Sequence, residues 1–89
     1  MKIKPTEKRC LNNGFQKIYR FNNDYGASVV KSPFSYGGNR GLWELAVIKF
    51  NGDNIFDFQI SYETKITDDV LGYLTEEDVE GFLSEIKNL

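Results

Sequence analysis

Eighty-nine residues with a formal charge of −2, 40% hydrophobic and 27% charged side chains, and no histidine describe one small domain. The missing imidazole removes Ser-His-Asp and Cys-His nucleophilic sites, histidine proton relays and every histidine metal centre. A single cysteine, Cys10, closes no internal disulfide, and no apolar run approaches the roughly 20 residues that span a bilayer, so a cytoplasmic chain without membrane contact is expected.

Residues 1–14 are basic and polar, with Pro5 near the start and Asn12, Asn13 and Gly14 at the end. They predict a basic N-terminal arm and a turn, ahead of a single α+β domain over residues 15–89. The first residues lack the apolar stretch of a signal peptide. Residues 15–21 alternate, with Phe15, Tyr19 and Phe21 on one side and Gln16 and Arg20 on the other, which predicts a half-buried strand. Asn22, Asn23, Asp24 and Gly26 tolerate left-handed backbone and predict a hairpin turn. Residues 27–32, centred on Val29 and Val30, form the next strand, which Pro33 ends because proline donates no ladder hydrogen bond.

Residues 34–41 hold three of the eight glycines and predict a loop. Residues 42–50 are apolar on both sides, Trp43, Leu45 and Val47 on one and Leu42, Ala46, Ile48 and Phe50 on the other, as in a central strand. Residues 51–54 read as a hairpin turn, and residues 55–62 alternate again with Phe56, Phe58, Ile60 and Tyr62 inward. Thr67 is placed to cap a single helical turn that Gly72 ends. Thr75 opens the clearest helix signal: Glu76, Glu77 and Asp78 in the first turn, then Val79, Phe82, Leu83, Ile86 and Leu89 at helical spacing. That stripe is expected to cover the aromatic face of the strands, Phe56 and Phe58 included.

The predicted architecture is therefore α+β, an antiparallel four-stranded β-meander with one C-terminal amphipathic α-helix packed on one face. One helix covers one face only. Ile18, Leu42, Ala46 and Ile48 are then left on the other, which predicts a homodimer.

Catalytic patterns are hard to find. Cys10 stands beside Lys8 and Arg9 but has neither a base nor a resolving thiol, and reads as an ordinary cysteine. The glycines at 37, 38 and 41 are not followed by Lys-Ser/Thr and run into a strand, so they do not form a phosphate loop. Asp68 and Asp69 suit a helix start better than a paired-carboxylate site. Residues 51–54 lack the downstream glutamate of a calcium loop. No enzyme, cofactor or metal is expected.

The charge distribution points to binding instead. Residues 1–50 carry nine Lys/Arg against three acids, a balance of +6, and residues 51–89 carry two Lys against ten acids, a balance of −8. Two surfaces are candidates for a protein partner: Phe34, Tyr36 and Arg40 on the glycine loop, and the acidic helix face of Glu76, Glu77 and Glu80. The alternative is a nucleic-acid-associated regulator that uses Lys2, Lys4, Lys8, Arg9, Lys17 and Arg20, interleaved with Phe15, Tyr19 and Phe21. Against it stand a sequence pI near 5.0 and the lack of any RNP, KH or zinc-finger pattern.

Four stretches, Tyr25-Gly26-Ala27-Ser28-Val29-Val30, Tyr36-Gly37-Gly38, Gly41-Leu42-Trp43-Glu44-Leu45-Ala46-Val47 and Ile66-Thr67-Asp68-Asp69-Val70-Leu71-Gly72-Tyr73-Leu74-Thr75, give residues 15–89 a whole-domain likeness. In these the chain resembles a family of short proteins encoded by bacteriophages and prophages. The likeness carries no catalytic signature and transfers no site residue. It implies a small accessory protein of the bacterial cytoplasm that binds a host or phage protein, a defence component among the candidates.

Overall fold

The computed structural model describes residues 2–11, 13–67 and 69–89. Asn12 of the expected first turn and Asp68 of the acidic pair lie outside the described residues. The chain is a small α+β domain, an antiparallel sheet with one C-terminal helix. Its strands are β1 (Glu7–Leu11), β2 (Gly14–Arg20), β3 (Tyr25–Lys31), β4 (Trp43–Phe50), β5 (Phe58–Ile60) and β6 (Leu71–Leu74), followed by α1 (Glu76–Lys87). The path runs β1-β2-β3-β4-β5, and β6 also pairs with β4.

The four-stranded expectation is corrected at both ends. Residues 7–11 of the expected arm are the edge strand, in register with β2 through pairs such as Lys8 with Lys17 and Cys10 with Phe15. The helical turn expected between Thr67 and Gly72 is absent from the described residues. Thr67 Oγ1 accepts from Asp69 N at 3.1 Å and donates to Asp69 O at 2.8 Å, a local turn, and Leu71–Leu74 then pairs with β4. The expected strand over residues 55–62 shortens to Phe58–Ile60. Asn54 Oδ1 accepts from Phe56 N at 2.9 Å, and Asn51 N donates to Asp57 O at 3.0 Å, so residues 51–57 fold as a connection rather than a ladder.

The helix forms for the reasons its sequence suggests. Thr75 Oγ1 accepts from Asp78 N at 3.1 Å and Asp78 Oδ2 accepts from Thr75 N at 3.0 Å, a reciprocal cap worth about 1 kcal/mol. Its far end is held by another element: Asn23 Nδ2, from the β2–β3 turn, donates to Ile86 O at 3.0 Å and Leu89 O at 3.3 Å. Val79, Leu83 and Ile86 are buried against Tyr19, Ala27, Val29, Trp43, Leu45, Val47 and Leu74. The stripe thus covers the Trp43, Leu45 and Val47 side of β4, and not Phe56 and Phe58 as expected.

Phe58 lies on the opposite face with Ile18, Ile48, Phe50 and Ile55. The 51–57 connection folds across that face, where Arg20 Nη1 donates to Gly52 O at 2.6 Å and the Arg9 guanidinium stands 4.8 Å from the Phe56 ring. Ile18 and Ile48 are fully buried and Ala46 nearly so, all within one chain. Three of the four residues from which a homodimer was expected are therefore covered within the chain itself, and Leu42 alone of that set stays partly exposed.

Candidate functional site

Three groups of residues were expected to bind, and the fold treats each differently. The glycine loop is built up from its backbone. Ser35 Oγ accepts from Ser32 N at 2.9 Å and donates to Ser32 O at 3.0 Å, and Ser32 Oγ accepts from Phe34 N at 3.1 Å. These bonds turn the chain sharply after β3. Gly37 then takes a φ of 91°, a left-handed value that glycine adopts without steric penalty, and a Cβ there would lie 2.8 Å from Tyr73 Cα. A single 3-10 turn, Gly38–Arg40, returns the chain to β4.

This packing docks the loop on β6, where Tyr36 O accepts from Tyr73 N at 3.1 Å. Tyr36, Arg40 and Tyr73 consequently share one surface, with the Arg40 guanidinium 6.0 Å from the Tyr73 ring. Phe34, Tyr36 and Tyr73 are 81%, 60% and 57% exposed. Tyr36 and Tyr73 thus stand beside an arginine, with Phe34 exposed two residues earlier on the same loop. Tyr73 was missed by the sequence reading. Its φ of 57° is uncommon for an aromatic residue and costs about 1 to 2 kcal/mol, which the surrounding loop must hold in place.

The acidic helix face is partly occupied by the chain itself. Glu80 Oε1 accepts from Ile3 N at 2.8 Å, and Lys2 Nζ lies 3.8 Å from Glu76 Oε2. The N-terminal residues thus lie along the helix and Ile3 joins the core beneath it, rather than forming a detached arm. Glu77 is exposed on the first turn and enters no ion pair among the described residues. Beneath this face, burial pushes the Tyr19 phenol up to about 12, with the carboxylates of Glu80 and Glu76 adding to the effect.

The six basic residues expected to act together are separated into three places. Lys2 and Lys4 flank the helix. Arg9 and Arg20 lie on the loop-covered face, over the rings of Phe56 and Phe50 at 4.8 and 4.6 Å. Lys8 and Lys17, paired across β1 and β2, remain together on the helix side of the sheet. There they meet two residues that the sequence reading did not group with them, Lys31 and Trp43, around a cleft of about 490 Å³. The Lys17 and Lys31 ammonium groups stand 4.5 and 4.4 Å from the centre of the Trp43 ring, so they are at most about 9 Å apart, a repulsion of at least about 0.5 kcal/mol in water.

Among the described residues no group of three His, Cys, Asp or Glu side chains converges as metal ligands would, and no helix is long and apolar enough to cross a membrane. The chain matches no family model, no curated protein and no solved structure.

Proposed function

We propose that this protein is a small non-catalytic binding module that grips another protein through Phe34, Tyr36, Arg40 and Tyr73. The observation that carries this reading is the exposure of two aromatic rings, Phe34 and Tyr36, on a loop whose backbone is fixed by the Ser32–Ser35 bonds and by docking on β6, where Tyr73 exposes a third. Ordered aromatic anchors lose little entropy on binding, and Tyr and Arg are enriched at interface hot spots. We further propose, on the likeness to phage-encoded proteins expected from the sequence, a role in the bacterial cytoplasm as an accessory protein that modulates a host or phage protein.

The test is capture from a nuclease-treated bacterial lysate, followed by affinity measurement with the recovered partner. Phe34→Ser and Tyr36→Ser should each weaken binding about 30-fold, the loss expected for a hot spot. Unchanged affinity in both variants would remove the loop from the interface. Recovery of no protein would remove the reading.

A further inference from the structure

We infer that the cleft framed by Lys8, Phe15, Lys17, Lys31 and Trp43 is a contact site for single-stranded nucleic acid. It uses none of the aromatic loop residues, so it stands independently of the protein-binding reading. Strand register places these side chains in adjacent rows on one side of the sheet. Lys8 pairs with Lys17, and Phe15 pairs with both Cys10 and Lys31. The helix packs on β3, β4 and β6, leaving Phe15 57% exposed at the rim.

Three features select the ligand. The first is charge. Three ammonium groups gather here, and the two ion pairs among the described residues, Lys2 with Glu76 and Arg20 with Asp24, lie elsewhere. Glu7, the acid on the same strand as Lys8, pairs with Ile18 and so belongs to the other face. The second is positioning: Lys17 and Lys31 are both drawn to the buried Trp43 ring, which holds two like charges within about 9 Å of each other, and a bound anion relieves their repulsion. The third is Phe15, an exposed flat ring beside those charges. Phosphates flanking an unpaired base satisfy all three, whereas a duplex buries its base faces and offers Phe15 nothing to stack on.

Fluorescence anisotropy with a labelled oligothymidylate tests the site. Binding should appear at about 50 mM salt and fall steeply towards about 200 mM. The Lys17→Gln/Lys31→Gln pair should lower affinity at least about tenfold and flatten the slope of log affinity against log salt by about 1.4, two phosphate contacts' worth. Phe15→Leu, which keeps an apolar side chain and removes the π face, should lower affinity about 5-fold or more with the salt slope retained. Lys2→Gln/Lys4→Gln, beside the helix and outside the cleft, should leave affinity within about twofold, and circular dichroism confirms that each variant is folded. The assignment is overturned if the full chain ignores the oligonucleotide at low salt, or if a duplex of the same length binds as well. It is equally overturned if the Lys2/Lys4 pair weakens binding as much as the Lys17/Lys31 pair, or if oligoglutamate displaces the strand at equal charge concentration.

Discussion

The two faces of this sheet are closed by different means. The helix side packs seven buried sheet residues against Val79, Leu83 and Ile86 of a twelve-residue helix anchored at both ends, by the Thr75–Asp78 cap and by Asn23. The other side buries Ile18, Ile48 and Phe50 beneath a seven-residue connection fastened by Arg20 and Arg9. Side chains interlocked with a regular element cannot relax into a void, whereas a loop can settle. The first face should therefore set global stability, and the second should set only local opening.

Leu83→Ala gives the largest expected contrast. Leu83 is fully buried at the centre of the helix interface, and its truncation should cost about 3 kcal/mol in denaturant titration. Ile55→Ala, on the partly exposed connection, should cost about 1 kcal/mol. Equal losses would erase the distinction between the faces.

Tyr19 sharpens the same contrast through pH. Its phenol is held above the ordinary value near 10 by burial first and by Glu80 and Glu76 second, reaching about 12. Between pH 10 and about 12 the folded chain keeps a proton that the unfolded chain releases. The associated stability is thus complete below pH 10 and is lost as pH rises through 12, on the order of 2 kcal/mol. Tyr19→Phe should lose stability less steeply over that window in parallel urea titrations; coincident slopes would show that the phenol is not confined beneath the helix.

Arg20→Ala probes the loop side and has the smallest effect. It removes the bond to Gly52 O and the stack on Phe50, for a loss of about 1 kcal/mol. Hydrogen exchange should quicken at residues 51–57 and stay unchanged in the helix. Quickening throughout would mean that the two faces open as one unit.

The helix was readable because all its signals agree: a capping threonine, an acidic first turn and apolar residues at helical spacing. Strand β4 was readable because both its faces are apolar. Strand β1 was not, since Glu7, Lys8, Arg9 and Cys10 are all exposed and no apolar alternation marks the strand. Its charges suit an edge that must not attract another chain. Strand β6 was hidden by Gly72 and by the left-handed Tyr73, both poor strand signals. Residues 55–62 misled in the opposite direction, because alternation persists where Asn54 and Asn51 have already diverted the backbone. At the sites, Phe34, Tyr36 and Arg40 were legible from composition. Tyr73, Lys31 and Trp43 join their neighbours through loop docking and strand register, and neither can be read along a single chain.

Asn23 has a consequence for how the molecule is made. Its amide nitrogen binds carbonyls 63 and 66 positions later, much as Glu80 reaches back 77 positions to Ile3. A ribosome adding about 5 to 20 residues per second delivers those partners seconds after the first hairpin emerges. During that interval the apolar side of the hairpin lacks its lid and is open to chaperones, and the final clasp closes only when the last turn of the helix arrives.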